Sequence, residues 1–98
     1  MSAPKISLDW WSTLVFVVES GGYAKAAERM HKSQSTLTYG IKKLESLLGV
    51  KVFELKGRKA VLTSTGELLY RRAKVLLEDT ARLEKAAGEL AQGWEPEI

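Results

Sequence analysis

Apolar residues recur at helical spacing near the start of the chain and predict two short helices. The first covers residues 7–20, and the Ser7 hydroxyl is placed to accept from a free first-turn N–H. This helix is apolar on more than one side, so it is either deeply packed in a core or shared with a partner subunit. Gly21-Gly22 ends it, and an alanine-rich second helix is expected over residues 23–30.

A third predicted helix, residues 34–48, has the clearest two-faced pattern. Its apolar stripe is expected to face the core and consists of Leu37, Ile41, Leu44 and Leu48. The opposite face is polar and partly basic and consists of Gln34, Ser35, Thr38, Tyr39 and Lys42. Ser33 is a suitable N-cap for this helix, and Gly49 a left-handed stop. His31, which ends the second helix, is expected to cap or pack. Two short helices joined by a tight turn form a helix-turn-helix.

Two short β-prone runs, residues 50–55 and 59–62, follow the third helix. The basic turn between them, residues 56–59, predicts a hairpin with Gly57 at its tip. A hairpin in this position is the wing of a winged helix-turn-helix.

The last helical pattern is long. Thr63 can cap a helix over residues 64–92, which at ~1.5 Å per residue is about 42 Å long. Its heptad-like seam consists of Leu69, Ala73, Leu76, Thr80, Leu83, Ala87 and Leu90. A head of 62 residues cannot bury all of this helix. A second copy of the chain is therefore expected to cover the seam as a homodimer. The alternative is a helix folded back on its own head.

These elements predict a mainly α protein: three helices and a two-stranded wing, followed by a long linker helix. The expected division is a winged helix-turn-helix over residues 1–63, a linker and dimerisation helix over 64–92, and the start of a hinge over 93–98. Residues 1–6 are expected to form a disordered lead-in.

Composition narrows the possible functions. The chain has 98 residues, no Cys and a single His, so disulfides, thiolate chemistry and clustered-histidine metal sites are not expected. No apolar run approaches the ~20 residues that span a bilayer, and the first residues lack the order of a signal peptide. We expect a cytoplasmic protein without a membrane partner. No nucleophile–base pair or phosphate-binding glycine loop is recognisable, so neither an enzyme nor a cofactor is expected.

Charge is distributed unevenly along the chain. Residues 1–62 carry ten Lys/Arg and five Asp/Glu (+5), and residues 63–98 carry five and seven (−2), which together give +3. Such segregation suggests that the first part faces a polyanion, although a chance imbalance on a solvated surface would look the same.

The polar face of the third helix suits duplex DNA, because the major groove admits one α-helix and presents a distinctive donor and acceptor pattern. The Gln34 amide can read adenine, and the hydroxyls of Ser35 and Thr38 can reach phosphate or base. Tyr39 offers a hydroxyl, or a ring face to a thymine methyl. Cations that can neutralise phosphates are Lys25, Lys32, Lys42 and Lys43. On the wing, Arg58 and Lys59 can lie in the flanking minor groove. For each of these side chains the alternative is an ordinary solvated residue.

Two other functions fit the same fold. Winged helices also serve as protein-interaction adaptors, but an adaptor has no need for cations beside a polar recognition helix. RNA binding is a weaker alternative, because exposed aromatic residues for base stacking are not interleaved with the basic ones.

The run AAERMHKSQSTLTYGIKKLESLLGVKVFEL, followed by GRKAVLTSTGE, resembles the N-terminal domain of LysR-type transcriptional regulators. The motifs that carry the resemblance are Ala26-Ala27, Ser33-Gln34-Ser35, Ile41 with Leu44-Glu45 and Leu48-Gly49, Val52-Phe53, and Leu62-Thr63 with Gly66. The similarity covers residues 8–92. Each piece alone is weak, but their combined spacing is specific.

The resemblance implies a bacterial regulator of operator or promoter DNA that pairs through antiparallel linker helices and often forms a tetramer. It also implies a C-terminal domain that senses a small-molecule effector, so this chain is expected to be a DNA-binding fragment. In the family, positions matching Gln34, Ser35, Thr38 and Tyr39 face the major groove, and the one matching Arg58 enters the minor groove.

The chain departs from the family pattern at several positions. Ser or Thr is frequent where Ala24 stands, and Arg is frequent where Tyr39 and Leu55 stand. These changes predict a missing cap or phosphate contact at Ala24 and a different base preference at Tyr39. At Leu55 they predict either one lost basic contact or a side chain that packs instead. Gly40, in mid-helix, costs about 1 kcal/mol relative to Ala. Close approach to the second helix or to DNA would explain it.

Overall fold

The computed structural model describes residues 4–93. In chain order the elements are α1 (Leu8–Ser20), α2 (Tyr23–Met30), α3 (Gln34–Leu48), β1 (Phe53–Lys56), β2 (Lys59–Leu62) and α4 (Ser64–Ala91). Within residues 4–93, four helices and one antiparallel pair of strands confirm the predicted winged helix-turn-helix with a long linker helix. Residues 1–3 of the expected lead-in and 94–98 of the expected hinge lie outside the described residues.

Capping side chains set the helix boundaries as predicted. The hydroxyl oxygens of Ser7, Ser33 and Thr63 each accept a first-turn N–H, at 3.3, 3.2 and 2.9 Å respectively. α2 ends at His31, whose φ of 55° places it in the left-handed region. Histidine has no branched β-carbon, so it tolerates this conformation, and the chain turns directly into the cap of α3. The predicted capping role of His31 is therefore confirmed.

The core lies around α1, which packs against α2, α3 and α4. One group of buried side chains consists of Ile6, Leu14, Ile41, Leu44 and Val52. A second consists of Val17, Ala26, Ala27 and Leu37. The small alanines let α2 approach the neighbouring helices closely.

Ile6 corrects the expectation that the lead-in is disordered up to residue 6. Its side chain is only 7% exposed and belongs to the same apolar cluster as Trp11. Ile6 precedes the N-cap Ser7, and Trp11 is the fourth residue of α1. An apolar pair at these two positions fixes the direction in which the chain enters a helix.

The predicted apolar stripe of α3 is wrong at its last position. Leu48 is 41% exposed, whereas Glu45 is 6% exposed and takes the place on the core side. Glu45 Oε2 accepts the N–H groups of Val52 at 2.8 Å and Phe53 at 3.4 Å. A carboxylate can be buried at this point because backbone donors bind it. The same bonds explain why β1 begins at Phe53 and not at residue 50.

The wing is a tight hairpin. Its strands pair antiparallel from Phe53 opposite Leu62 to Lys56 opposite Lys59. Gly57 (φ 64°) and the residue after it form the two-residue turn, which requires a positive φ that glycine adopts without strain.

The seam of α4 divides into two parts. Ala73 is 4% exposed, and Leu69 is half-buried against the core, so these two pack on their own head. Leu76, Leu83 and Leu90 are 42%, 70% and 58% exposed. Of the remaining positions, Thr80 is half-buried and Ala87 is exposed. Part of the helix thus folds back on the head, and part projects from it.

Among residues 4–93 no helix is both long and apolar enough to cross a membrane.

Candidate nucleic-acid interface

α3 presents its predicted polar face to solvent. Gln34, Ser35 and Lys42 are exposed, Thr38 is half-buried and Tyr39 is 60% exposed. The buried stripe on the other side of the helix holds this face outward. The five predicted α3 residues therefore share one accessible surface.

Three hydroxyl groups meet at the start of α3. Ser33 Oγ lies 2.8 Å from Thr36 Oγ1 and 3.1 Å from Ser35 Oγ. Thr36 is exposed and was missed by the sequence analysis. Its position three residues after the N-cap is the signal that could have found it. The hydroxyls lie at the positive end of the helix dipole, which favours an anion.

A cleft of about 540 Å³ separates the start of α2 and α3 from the wing. Gln34 of α3 lines it together with Arg58 and Lys59 of the wing. Three of the predicted DNA-contacting residues are thus brought together from two elements. Leu55 lines the same cleft and is 76% exposed, so it does not pack into the head as one reading of this departure suggested.

The remaining predicted cations differ in their surroundings. Within residues 4–93, Lys25, Lys32 and Lys43 are exposed and form no salt bridge. Lys42 Nζ, in contrast, lies 3.7 Å from Glu45 Oε1. Part of the Lys42 charge therefore already compensates a buried carboxylate of the same helix.

Gly40 is explained by the close approach of α1 and not of α2. A Cβ at this position would lie 3.1 Å from Trp10 Cδ1 and 3.5 Å from Trp10 Nε1. The indole of Trp10 packs against α3 at Gly40. The glycine lets the large ring of Trp10 on α1 pack closely against α3.

Tyr23 links the start of α2 to the base of the wing. Its ring centroid is 5.8 Å from that of Phe53. Burial, and then the negative charge of Glu45, raises the pKa of Tyr23 to about 12. The Tyr23 ring thus packs α2 against the start of β1.

A polar cluster joins α1 to α4. Glu19 Oε2 accepts from Tyr70 Oη at 2.9 Å and lies 3.1 Å from Lys74 Nζ. The Lys74 and Tyr70 hydrogen bonds hold the pKa of Glu19 below its ordinary value, and the bond to Glu19 raises the pKa of Lys74. This cluster and the buried Ala73 fix the first turns of α4 on the head.

Comparisons with known proteins agree with this geometry. Residues 8–67 match the family described as bacterial regulatory helix-turn-helix protein, lysR family. The uncharacterized HTH-type transcriptional regulator YeeY of Escherichia coli (strain K12) is 34% identical over 91 residues, which are 93% of this chain and 29% of YeeY. The chain thus spans less than a third of the length of that relative.

Two solved structures that contain DNA are similar over most of the chain. A crystal structure of the BenM_DBD/catB site 1 DNA complex has a TM-score of 0.86 at 27% identity and covers 94% of this chain and 99% of that one. A crystal structure of the CbnR_DBD–DNA complex has a TM-score of 0.79 at 30% identity and covers 87% and 98%. With the family match over more than half of the residues, these likenesses lead to one assignment. This chain belongs to the lysR family of bacterial regulatory helix-turn-helix proteins.

Proposed function

We propose that the chain binds double-stranded DNA sequence-specifically and is the DNA-binding part of a bacterial transcriptional regulator. The observation that carries this proposal is the cleft in which Gln34 of α3 meets Arg58 and Lys59 of the wing. One surface then offers a helix sized for the major groove and cations for the adjoining minor groove. The similar BenM and CbnR structures are both DNA complexes, which supports the same target.

In this proposal α3 reads base edges. The Gln34 amide pairs with adenine through two hydrogen bonds, a contact that discriminates against a wrong base by about 1–3 kcal/mol. Ser35 and Thr38 donate hydroxyl bonds to base or phosphate. The exposed Tyr39 ring contacts a thymine methyl group, and its position where the family often has Arg gives this chain its own base preference.

The cations position the protein without reading sequence. Arg58 and Lys59 enter the minor groove beside α3, and Lys25, Lys32 and Lys43 neutralise phosphates. Lys42 contributes less, because Glu45 Oε1 lies 3.7 Å from its ammonium group.

The projecting part of α4 supplies a homodimer in this proposal. Leu76, Leu83 and Leu90 form an exposed apolar row that a second α4 would cover. Each head then reads one half-site of a two-fold symmetric operator. Assembly to a tetramer and the sensing of a small-molecule effector would belong to parts of the relatives that this chain does not cover. Such a protein works by binding in the cytoplasm, catalyses no reaction and needs no cofactor.

Selection of binding sites from random duplex DNA, followed by mobility-shift titration, tests the proposal. Gln34→Ala should relax preference at one base position and weaken binding to the selected site by roughly 5–150-fold. Arg58→Ala should weaken binding at every salt concentration. Lys85→Ala, which removes an exposed cation far along α4, is the matched control and should leave affinity unchanged.

Two results would contradict the assignment. If the double variant Gln34→Ala, Arg58→Ala selected the same sites as the parent, these two residues would not contribute to sequence recognition. Duplex affinity that is absent, or that does not fall with salt, would favour the protein-interaction adaptor.

A further inference from the structure

We propose that Glu45 is a positioning residue that sets the wing against the recognition helix by holding the peptide of Val52. This role deepens the proposed DNA-binding function and rests on it, because it determines whether Arg58 and Gln34 can reach one DNA duplex together. Residues 51–53, which lead from α3 into the first residue of β1, are called the wing root.

Glu45 is buried at a cost that its contacts must offset. Its side chain is 6% exposed, and Oε1 has no hydrogen-bond partner among the described residues. The nearest cation, Lys42, is 3.7 Å away and itself 67% exposed. A buried charge with one oxygen that lacks a hydrogen bond is unfavourable as a stabilising device alone, since an apolar residue would fill the same place without desolvation.

The other oxygen of Glu45 makes the specific contacts. Oε2 accepts from Val52 N–H at 2.8 Å and from Phe53 N–H at 3.4 Å. A carboxylate that accepts backbone N–H groups forms charge-assisted bonds, which are shorter and stronger than neutral ones. α3 thereby holds the two residues at which the wing begins.

The start of α4 and its N-cap Thr63 contact the carbonyl groups of the wing root. Thr63 N–H donates to Val52 O at 3.0 Å, and Thr63 Oγ1 donates to Lys51 O at 2.6 Å. Gly66 lies so close that a Cβ there would be 2.1 Å from Val52 O. The wing root is thus clamped between the recognition helix and the first turn of α4.

The orientation of the wing root matters because a small rotation there displaces the tip of the wing. From Phe53 to the turn the strand advances about 10 Å at ~3.3 Å per residue. A rotation of about 10° at the root would therefore move the tip by about 2 Å, which exceeds the range of a good hydrogen bond. Arg58 is at this tip, while Gln34 is fixed by α3. Since Glu45 belongs to α3, its two bonds tie the positions of both contacts to one helix.

The first experiment measures the distance between α3 and the wing tip without DNA. The chain has no cysteine, so Lys43→Cys and Lys56→Cys place one spin label on each element at an exposed position. Pulsed electron resonance should give a narrow distance distribution in the parent and a broadened one in Glu45→Ala. Glu45→Asp, which keeps the charge but shortens the side chain, is the second variant if Glu45→Ala does not fold.

The control for the distance measurement is Glu54→Gln. Glu54 is an exposed carboxylate on β1 and does not hold the wing root, so the parent distribution should persist. An unchanged distribution in a folded Glu45 variant would overturn the proposal.

The second experiment is a double-mutant cycle on DNA affinity. If Glu45 places the wing, Arg58→Ala should weaken binding about tenfold in the parent but only about twofold in a Glu45→Asp background. Gln34→Ala should weaken binding by the same factor in both backgrounds, because α3 itself is intact. A general loss of stability would not produce this difference. Equal Arg58→Ala penalties in both backgrounds would refute the role of Glu45. A parent chain that does not bind DNA would refute the proposed function, and the distance measurement would still decide the positioning role.

Discussion

Gly66 allows a sharp test of how α4 is joined to the wing root. Helix propensity alone predicts that Gly66→Ala stabilises the chain by about 1 kcal/mol, because alanine restricts the unfolded chain and glycine does not. The structure predicts the opposite sign. A Cβ at residue 66 would lie 2.1 Å from Val52 O and 2.9 Å from Val52 C, and both atoms belong to backbone that cannot rotate away.

The size of the stability loss in Gly66→Ala depends on which parts of the structure must move apart. Relieving the contact requires α4 and the wing root to separate by about 1 Å, and overpacking of this kind costs about 1–3 kcal/mol. The same movement stretches two hydrogen bonds of Thr63: its N–H lies 3.0 Å from Val52 O, and its Oγ1 lies 2.6 Å from Lys51 O. Hydrogen bonds of this type contribute about 1 kcal/mol each. After subtraction of the propensity gain, we expect Gly66→Ala to destabilise by about 2–4 kcal/mol.

Gly88 provides a matched control in the same helix. A Cβ at residue 88 has no neighbour within 4 Å among residues 4–93, so Gly88→Ala should raise stability by about 1 kcal/mol. Urea denaturation followed by circular dichroism gives both free energies of unfolding under identical conditions. Each kcal/mol corresponds to about 4–8 °C in Tm for a domain of this size.

A change of stability in the same direction for Gly66→Ala and Gly88→Ala would contradict this prediction. A stabilising Gly66→Ala would mean that α4 does not touch the wing root. A destabilising Gly88→Ala would mean that the distal helix is in contact with something else, such as a partner subunit that needs this surface.

Three further substitutions probe the interface, the dimer and the cluster between α1 and α4. Leu55→Arg should add a phosphate contact and steepen the slope of log K against log[salt] by about 0.9, whereas Leu55→Ala should not; equal slopes would place Leu55 away from DNA. Leu76→Glu should give a monomer in sedimentation with weaker operator binding, and an unchanged sedimentation coefficient would exclude this residue from the dimer contact. Glu19→Gln should lower stability slightly at neutral pH, because a neutral amide replaces the charge that pairs with Lys74. Since folding lowers the pKa of Glu19 below 4.5, the difference should start to shrink near pH 4.5 and vanish as the pH falls through the lowered folded-state pKa, and a pH-independent difference would refute the ionic role.

Periodicity and capping predicted every helix of this fold to within one or two residues. The signals are local: Ser7, Ser33 and Thr63 begin helices because their hydroxyls satisfy free N–H groups a few residues away. The polar face of α3 was predictable for the same reason, since the apolar stripe opposite it determines which side of the helix faces the core. Which of its residues touch DNA stays a prediction.

What the sequence did not reveal depends on contacts between distant elements. Periodicity assigned Leu48 to the core because it considers only the spacing of apolar residues. It does not show that the backbone N–H groups of residues 52 and 53 bind the Glu45 carboxylate, which occupies the core side instead. The reason for Gly40 lies in Trp10, thirty residues earlier, whose ring occupies the space of the missing side chain. Ile6 was left out of the core because one apolar residue has no period.

The division of the α4 seam determines how a dimer could present two heads to DNA. Leu69 and Ala73 pack on their own head, and Glu19 binds side chains of the same turns, so the start of α4 moves with the head as one body. From Leu76 onward the helix is free to pair. In the proposed dimer no flexible joint then separates the pairing surface from the wing root, because Thr63 and Gly66 connect α4 directly to Val52. A change in how the two helices cross would therefore reach both the recognition helix and the wing, and it would alter the spacing of the half-sites that the pair can read.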